Sequence, residues 1–152
     1  MTKLTKLTER VRKGIFVFLL VILIFLDQCA KKFVHRIFEN QNFAFSLPLP
    51  VWLMYFIYAL VLIGLVVYTK KNYQHLNFLH RLSLTLIFAG AISNVVERIF
   101  LGHVRDFIYI TYGQLTGIYN LADGYIIAGI VLLLMSKNNK NDKNEQKLHK
   151  HS

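Results

Sequence analysis

Residues 15–31 read IFVFLLVILIFLDQCAK, and this stretch decides the fold. The apolar residues Ile15 to Leu26 run without interruption, and then an aspartate, a glutamine and a lysine follow within five positions. The run reads as a first membrane span, Ile15 to Ala30, that ends in ionisable groups. Three further apolar blocks repeat the theme: Val51 to Thr69, directly after Pro48 and Pro50, then Leu82 to Val96, then Leu115 to Met135. The third is short for a hydrocarbon core of ~30 Å. It extends through Asn77 to Leu79 if Arg81 snorkels toward the headgroups. Hydrophobic residues make up 55% of the 152 positions, and they are concentrated in these blocks rather than dispersed as in a soluble domain. The chain is therefore expected to be an all-α membrane protein with four transmembrane helices. Gly-x-Gly-x-x-Gly, P-loop and Cys-x-x-Cys motifs are absent, as are internal repeats.

The formal net charge of +10 would suit a nucleic-acid partner, but its distribution points elsewhere. Of 18 Lys and Arg, 13 lie before the first block, between the second and third, or after the fourth. Only Lys31, Lys32, Arg36, Arg98 and Arg105 fall in the other two connections. This asymmetry follows the positive-inside rule and puts both termini in the cytoplasm, with no nucleic acid implied. The basic segments also suit anionic lipid headgroups. Residues 1–14 are expected to be a basic cytoplasmic N-terminus, 15–135 the membrane domain, and 136–152 a disordered, basic cytoplasmic tail. Cys29 is the one cysteine, so no internal disulfide forms. Asp27 and Gln28 stand where a lipoprotein signal would carry small uncharged residues, and no cleavable signal peptide is evident.

The outer connections are not ordinary polar loops. Residues 33–47 read FVHRIFENQNFAFSL and residues 107–112 read FIYITY. Both suit short strands at the membrane surface, with an amphipathic surface segment as the alternative for the first. A small extracytoplasmic β-rich platform is expected, with Trp52, Tyr55 and Tyr112 in the aromatic belt.

Apart from Glu9, Asp142 and Glu145, every acid falls on or near the outer face in this topology: Asp27, Glu39, Glu97, Asp106 and Asp123. Asn94, Glu97 and Arg98 share a helical face at i, i+3 and i+4; Asn120 and Asp123, and Asp27 and Lys31, form similar pairs. Ala89, Gly90, Ala91 and Ser93 permit close helix contact. Ionisable groups converging at one membrane depth mark a site by default, against the plainer reading of a polar cluster that only holds the bundle together.

These residues also carry a resemblance. Asp27-Gln28-Cys29-Ala30-Lys31 is similar to the Asp-x-x-Ser/Thr-Lys motif of the lipoprotein signal peptidase (signal peptidase II) family. Asn40-Gln41-Asn42-Phe43-Ala44-Phe45 resembles its Asn-x-Gly-x-x-Phe motif. Ser93-Asn94-Val95-Val96-Glu97-Arg98 resembles Gly-Asn-x-x-Asp-Arg, followed by Gly102 and by Val104-Arg105-Asp106-Phe107 for Val-x-Asp-Phe. Tyr119-Asn120-Leu121-Ala122-Asp123 resembles Phe-Asn-x-Ala-Asp. The motifs occur in the family's order, between about residues 15 and 135. The sequence departs from them at Ala30, Asn42, Ser93 and Glu97, which suggests a divergent member.

The resemblance implies an intramembrane aspartic endopeptidase of the bacterial inner membrane, with Asp106 and Asp123 as the catalytic pair. Asn94, Arg98 and Asn120 would line the site, and Asp27, Lys31, Asn40 and Glu97 would support it. The implied partners are diacylglyceryl-modified prolipoproteins and membrane lipids; the chain is expected to be a monomer without a cofactor. His103 lies three residues before Asp106, but no His-Glu-x-x-His motif or second ligand makes a metal site. Ser83 and Ser93 have no base at useful spacing. Two other classes stay open at this level. One is a non-catalytic membrane component. The other is a small proton-coupled transporter, which would tend to carry inverted repeats and charge near mid-membrane.

Overall fold

The computed structural model of the chain describes residues 3–41, 49–73, 76–113 and 115–148. The elements run α1 (Lys3–Phe33), β1 (Phe38–Asn40), α2 (Val51–Asn72), α3 (Phe78–Leu101), β2 (Val104–Asp106), β3 (Ile108–Tyr112), β4 (Leu115–Tyr119) and α4 (Leu121–Leu148). The protein is a mostly helical membrane protein. Three helices are long and apolar enough to cross a membrane, and α4 adds a shorter apolar stretch, Leu121–Ser136. In α2 the only buried residue is Met54. Side chains such as Trp52, Phe56 and Leu60 face outward, as do Phe18, Val21 and Phe25 of α1. An apolar surface of that extent needs lipid rather than water against it.

Helix α3 is the core element. Its buried residues include polar as well as apolar side chains, from His80 to Arg98. Asn77 caps its start, its side chain accepting from the His80 N–H at 2.8 Å. Gly102 ends it in the left-handed region at φ 79°, donating its N–H to the Arg98 carbonyl at 3.1 Å. Helix α4 packs directly on α3. A Cβ at Gly90 would strike the Ala122 carbonyl oxygen and the Ile126 side chain, so the backbones meet closely there.

The platform at one end of the bundle consists of two antiparallel pairs, β1 with β2 and β3 with β4. In the first, Phe38 faces Asp106, Glu39 faces Arg105 and Asn40 faces Val104. The second runs from Ile108 opposite Tyr119 to Tyr112 opposite Leu115. The strand reading thus holds for Phe38–Asn40 within the first stretch, against the amphipathic surface segment, and for Ile108–Tyr112 in the second.

Two boundaries differ from expectation. The fourth helix starts at Leu121, not Leu115, because residues 115–119 form β4. Thr116, Ile118 and Tyr119 are β-branched or aromatic and pair with a matching strand, and that pairing outweighs the apolar continuity with the helix. The helical backbone also continues to Leu148, where a disordered tail was expected. The sequence SKNNKNDKNEQKL contains neither Pro nor Gly, so nothing local breaks the helix.

Candidate active site

Helix α4 begins with two reciprocal hydrogen bonds. The Asn120 side-chain oxygen accepts from the Asp123 N–H at 3.0 Å, and the Asp123 carboxylate accepts from the Asn120 N–H at 3.1 Å. This is the capping-box arrangement, with Asp in place of Glu. The next free donor of that first turn, the Ala122 N–H, goes to Asp27 of α1 at 2.9 Å. Asp123 is therefore fixed at the helix start by its own backbone and by the neighbouring span.

Asp106 comes from a different element, the end of strand β2, and is buried. Its two oxygens accept from the Asn120 side chain at 2.6 Å and from the Asn40 side chain at 2.9 Å. Asn120 thus holds both carboxylates, Asp106 through its side-chain amide and Asp123 through its main chain. Asp123 is partly accessible, so the pair has one enclosed and one reachable member. Burial pushes the Asp106 carboxyl above its ordinary range. The amides of Asn40 and Asn120 oppose the rise, and the nearby Asp123 carboxyl adds to it.

Beneath the pair lies a closed ionic network. The Lys31 ammonium is fully buried and meets Asp27 at 2.8 Å, Glu97 at 2.9 Å and the Asn94 side-chain oxygen at 3.1 Å. These three acceptors match the three ammonium protons. Asn94 then donates to Asp123 at 2.8 Å, so Lys31 reaches the pair through one amide. Glu97 also accepts from Arg105, from its Nε at 2.6 Å and its main-chain N–H at 3.1 Å. Two cations and two anions balance, which is what makes burial of the set tolerable.

The structure thus gathers Asp27, Lys31, Asn40, Asn94, Glu97, Asp106, Asn120 and Asp123 into one connected cluster. Arg98 also faces α2: its guanidinium carbon lies 5.4 Å from the Tyr58 ring centre, and its carbonyl accepts from Tyr55 at 2.8 Å. Glu97 pairs with Lys31 and Arg105 rather than with its sequence neighbour Arg98. His103 lies 3.9 Å from Glu39 on the exposed rim. Asn42 to Phe45 of the second motif lie outside the described residues.

Three participants escaped the sequence reading. Ser93 donates to Asp27 at 2.6 Å and accepts from Gln28 at 2.8 Å, and Gln28 in turn accepts from Arg105 at 3.2 Å. Ser93 had figured as a departure from a glycine, and Ala30 as the loss of a hydroxyl. In this chain the hydroxyl that bonds Asp27 comes from α3.

Apolar helices capped by a strand platform, with an aspartate pair bridged by one asparagine, define a polytopic membrane protein with a paired-carboxylate site. The chain belongs to the signal peptidase II family: the family model described as "Signal peptidase (SPase) II" matches residues 17–138. The lipoprotein signal peptidase of Streptococcus pyogenes serotype M1 is 30% identical over an alignment of 142 residues, covering 82% of this chain and 93% of the relative. That of serotype M5 (strain Manfredo) is 29% identical with the same coverage. The fold is similar to a bacterial membrane enzyme solved by the in meso method at 2.3 Å resolution, with a TM-score of 0.74, 23% identity, and 86% of this chain and 91% of the other covered. A second bacterial membrane enzyme, solved by the same method at 1.9 Å, gives a TM-score of 0.67 at 25% identity, covering 81% of this chain and 92% of that one.

Proposed function

We propose that the chain is an aspartic endopeptidase that removes the signal peptide of diacylglyceryl-modified prolipoproteins, cutting before the lipidated cysteine. The observation that carries this reading is the double attachment of Asn120 to Asp106 and Asp123. One residue fixes two carboxyl groups from a surface strand and a helix start, at a place that one of them leaves accessible. Carboxyl groups sharing a site ionise in two steps, so over a range of pH the pair holds one proton. The ionised member takes a proton from a water, whose oxygen attacks the scissile carbonyl carbon. The protonated member hydrogen-bonds the carbonyl oxygen as charge develops there. Collapse of the tetrahedral intermediate breaks the C–N bond, and a proton passes to the leaving amine.

Asn94, Asn40 and Asn120 act as positioning residues in this scheme, holding the carboxylates through side-chain amides. Lys31, Asp27 and Glu97 hold Asn94 and the start of α4 in turn. Arg98 lies toward α2 and is assigned to the substrate side of the site. The charge asymmetry supports both termini in the cytoplasm and the platform outside. A lipid-anchored substrate in the outer leaflet then reaches the pair from the side, between apolar helix faces.

The test is direct. Purified protein in liposomes is mixed with a diacylglyceryl prolipoprotein, and the products are sequenced by mass spectrometry. The reading expects a mature chain beginning with the lipidated cysteine and a released signal peptide. An intact substrate, with the protein folded, would favour a non-catalytic membrane component.

A further inference from the structure

At the end of the bundle opposite the platform, α1, α2 and α3 enclose a cavity of ≈ 430 Å³ that the aspartate site does not use. Its lining is polar at one level and apolar at the next. Lys13 precedes the apolar run of α1, and Lys70, Tyr73 and Arg81 come from the helix ends, beside Leu76; Phe16, Leu20, Leu84 and Phe88 come from further along the helices, beside Thr85. From Lys13 to Leu20, and from Arg81 to Phe88, the chain climbs roughly 10 Å of helix toward the membrane centre. The cavity therefore suits a molecule with an anionic head and a hydrocarbon tail.

The polar groups of the lining are arranged for an anion. The Tyr73 ring lies between two cations, the Lys13 ammonium 4.7 Å and the Arg81 guanidinium carbon 4.1 Å from its centre. Arg81 is largely committed, donating to the Leu76 and Tyr73 carbonyls at 3.0 Å each and lying 3.5 Å from Glu9. Lys13 and Lys70 meet no carboxylate within ion-pair distance among the described residues. The Tyr73 hydroxyl is buried and has no hydrogen-bond partner there. A buried donor without a partner costs free energy unless a ligand or water satisfies it.

We infer that this cavity binds one anionic phospholipid, its phosphodiester held by Lys13, Lys70 and the Tyr73 hydroxyl and an acyl chain laid along Phe16, Leu20 and Phe88. The assignment to the cytoplasmic leaflet rests on the topology in the proposed function; the binding itself does not. Phosphate oxygens accept from all three donors, and the apolar floor explains why a lipid rather than a free anion fits.

The full-length protein in detergent is titrated with phosphatidylglycerol or phosphatidylcholine of identical acyl chains, and bound lipid is counted by native mass spectrometry. The expected result is one phosphatidylglycerol per chain, bound roughly tenfold or more tightly than phosphatidylcholine. Lys13→Gln with Lys70→Gln should bring the two lipids to near equality. Tyr73→Phe should weaken both lipids about severalfold, because both carry the phosphodiester to which the hydroxyl donates. Equal binding of the two lipids by the wild type, an unchanged preference in the double lysine variant, or unchanged affinity for both lipids in Tyr73→Phe would overturn the inference. So would displacement of the lipid by inorganic phosphate alone, which would make this a simple anion site. Lipid counting requires no cleavage, so its failure is separable from failure of the peptidase reading.

Discussion

Buried polar clusters stand at both ends of the α3–α4 pair. At the inner end, Ser136 meets the His80 Nδ1 at 2.6 Å, and Asn77 donates to Ser136 at 3.2 Å. All three belong to α4 or to the start of α3. At the outer end, side chains arrive from α1, β1, α3, β2 and α4, and four of them are carboxylates: Asp27, Glu97, Asp106 and Asp123. The inner knot fastens two helices. The outer cluster uses amides and cations to hold two carboxyl groups close together. Buried polarity is common to both; a bridged carboxyl pair is found, among the described residues, in the outer one.

Substitutions can break this contrast, and the largest effect is expected at the aspartate pair. Asp106→Asn or Asp123→Asn removes a general acid or base and should lower cleavage by about 10²–10⁴-fold. The check is turnover of diacylglyceryl prolipoprotein by protein of matched thermal stability. Next comes Lys31→Met, which leaves Asp27 and Glu97 buried without their shared cation. Breaking a buried ion pair from one side costs about 3–5 kcal/mol, so thermal unfolding should shift sharply downward. A Lys31→Met protein as stable as wild type would show that the network does not hold the site.

Smaller effects sharpen the difference between supporting and reacting groups. Glu97→Asp keeps the charge beside Lys31 and Arg105 and shortens the reach by one methylene. Cleavage is expected to stay within about tenfold of wild type, or ~1.4 kcal/mol in barrier. Complete loss in a folded Glu97→Asp protein would move Glu97 into the reacting set. The mildest change belongs to the inner knot. Ser136→Ala should cost about 1 kcal/mol of stability and leave turnover unchanged. A large loss of cleavage with little loss of stability would couple the two ends and erase the contrast.

The convergence of Asp27, Glu97, Asp106 and Asp123 was legible because hydropathy and charge asymmetry fix which span ends lie together. The i, i+4 spacing of Asp27 and Lys31 likewise foretold their ion pair. Contacts between distant segments were not legible. Gln28 finds Ser93 across 65 positions and Arg105 across 77, and neither residue looks special in its own segment. Residues 115–119 misled because an apolar, β-branched stretch beside a span has the composition of either a strand or a helix start. Only the partner strand, Ile108–Tyr112, decides between them. The contacts of Arg98 with α2 were not legible for a related reason. Helical spacing puts Asn94, Glu97 and Arg98 on one side of α3, but that side is wide enough to face both Lys31 and Tyr58.

The central claim is that Asp106 and Asp123 act as one unit through Asn120. Cleavage by Asp106→Asn, Asp123→Asn and the double variant, measured on one lipidated substrate at equal thermal stability, tests it most directly. Groups that work as a unit are strongly non-additive, so the double variant should be within about tenfold of the weaker single. Near-normal turnover by either single variant, or a double-variant loss equal to the product of the two single losses, would contradict it.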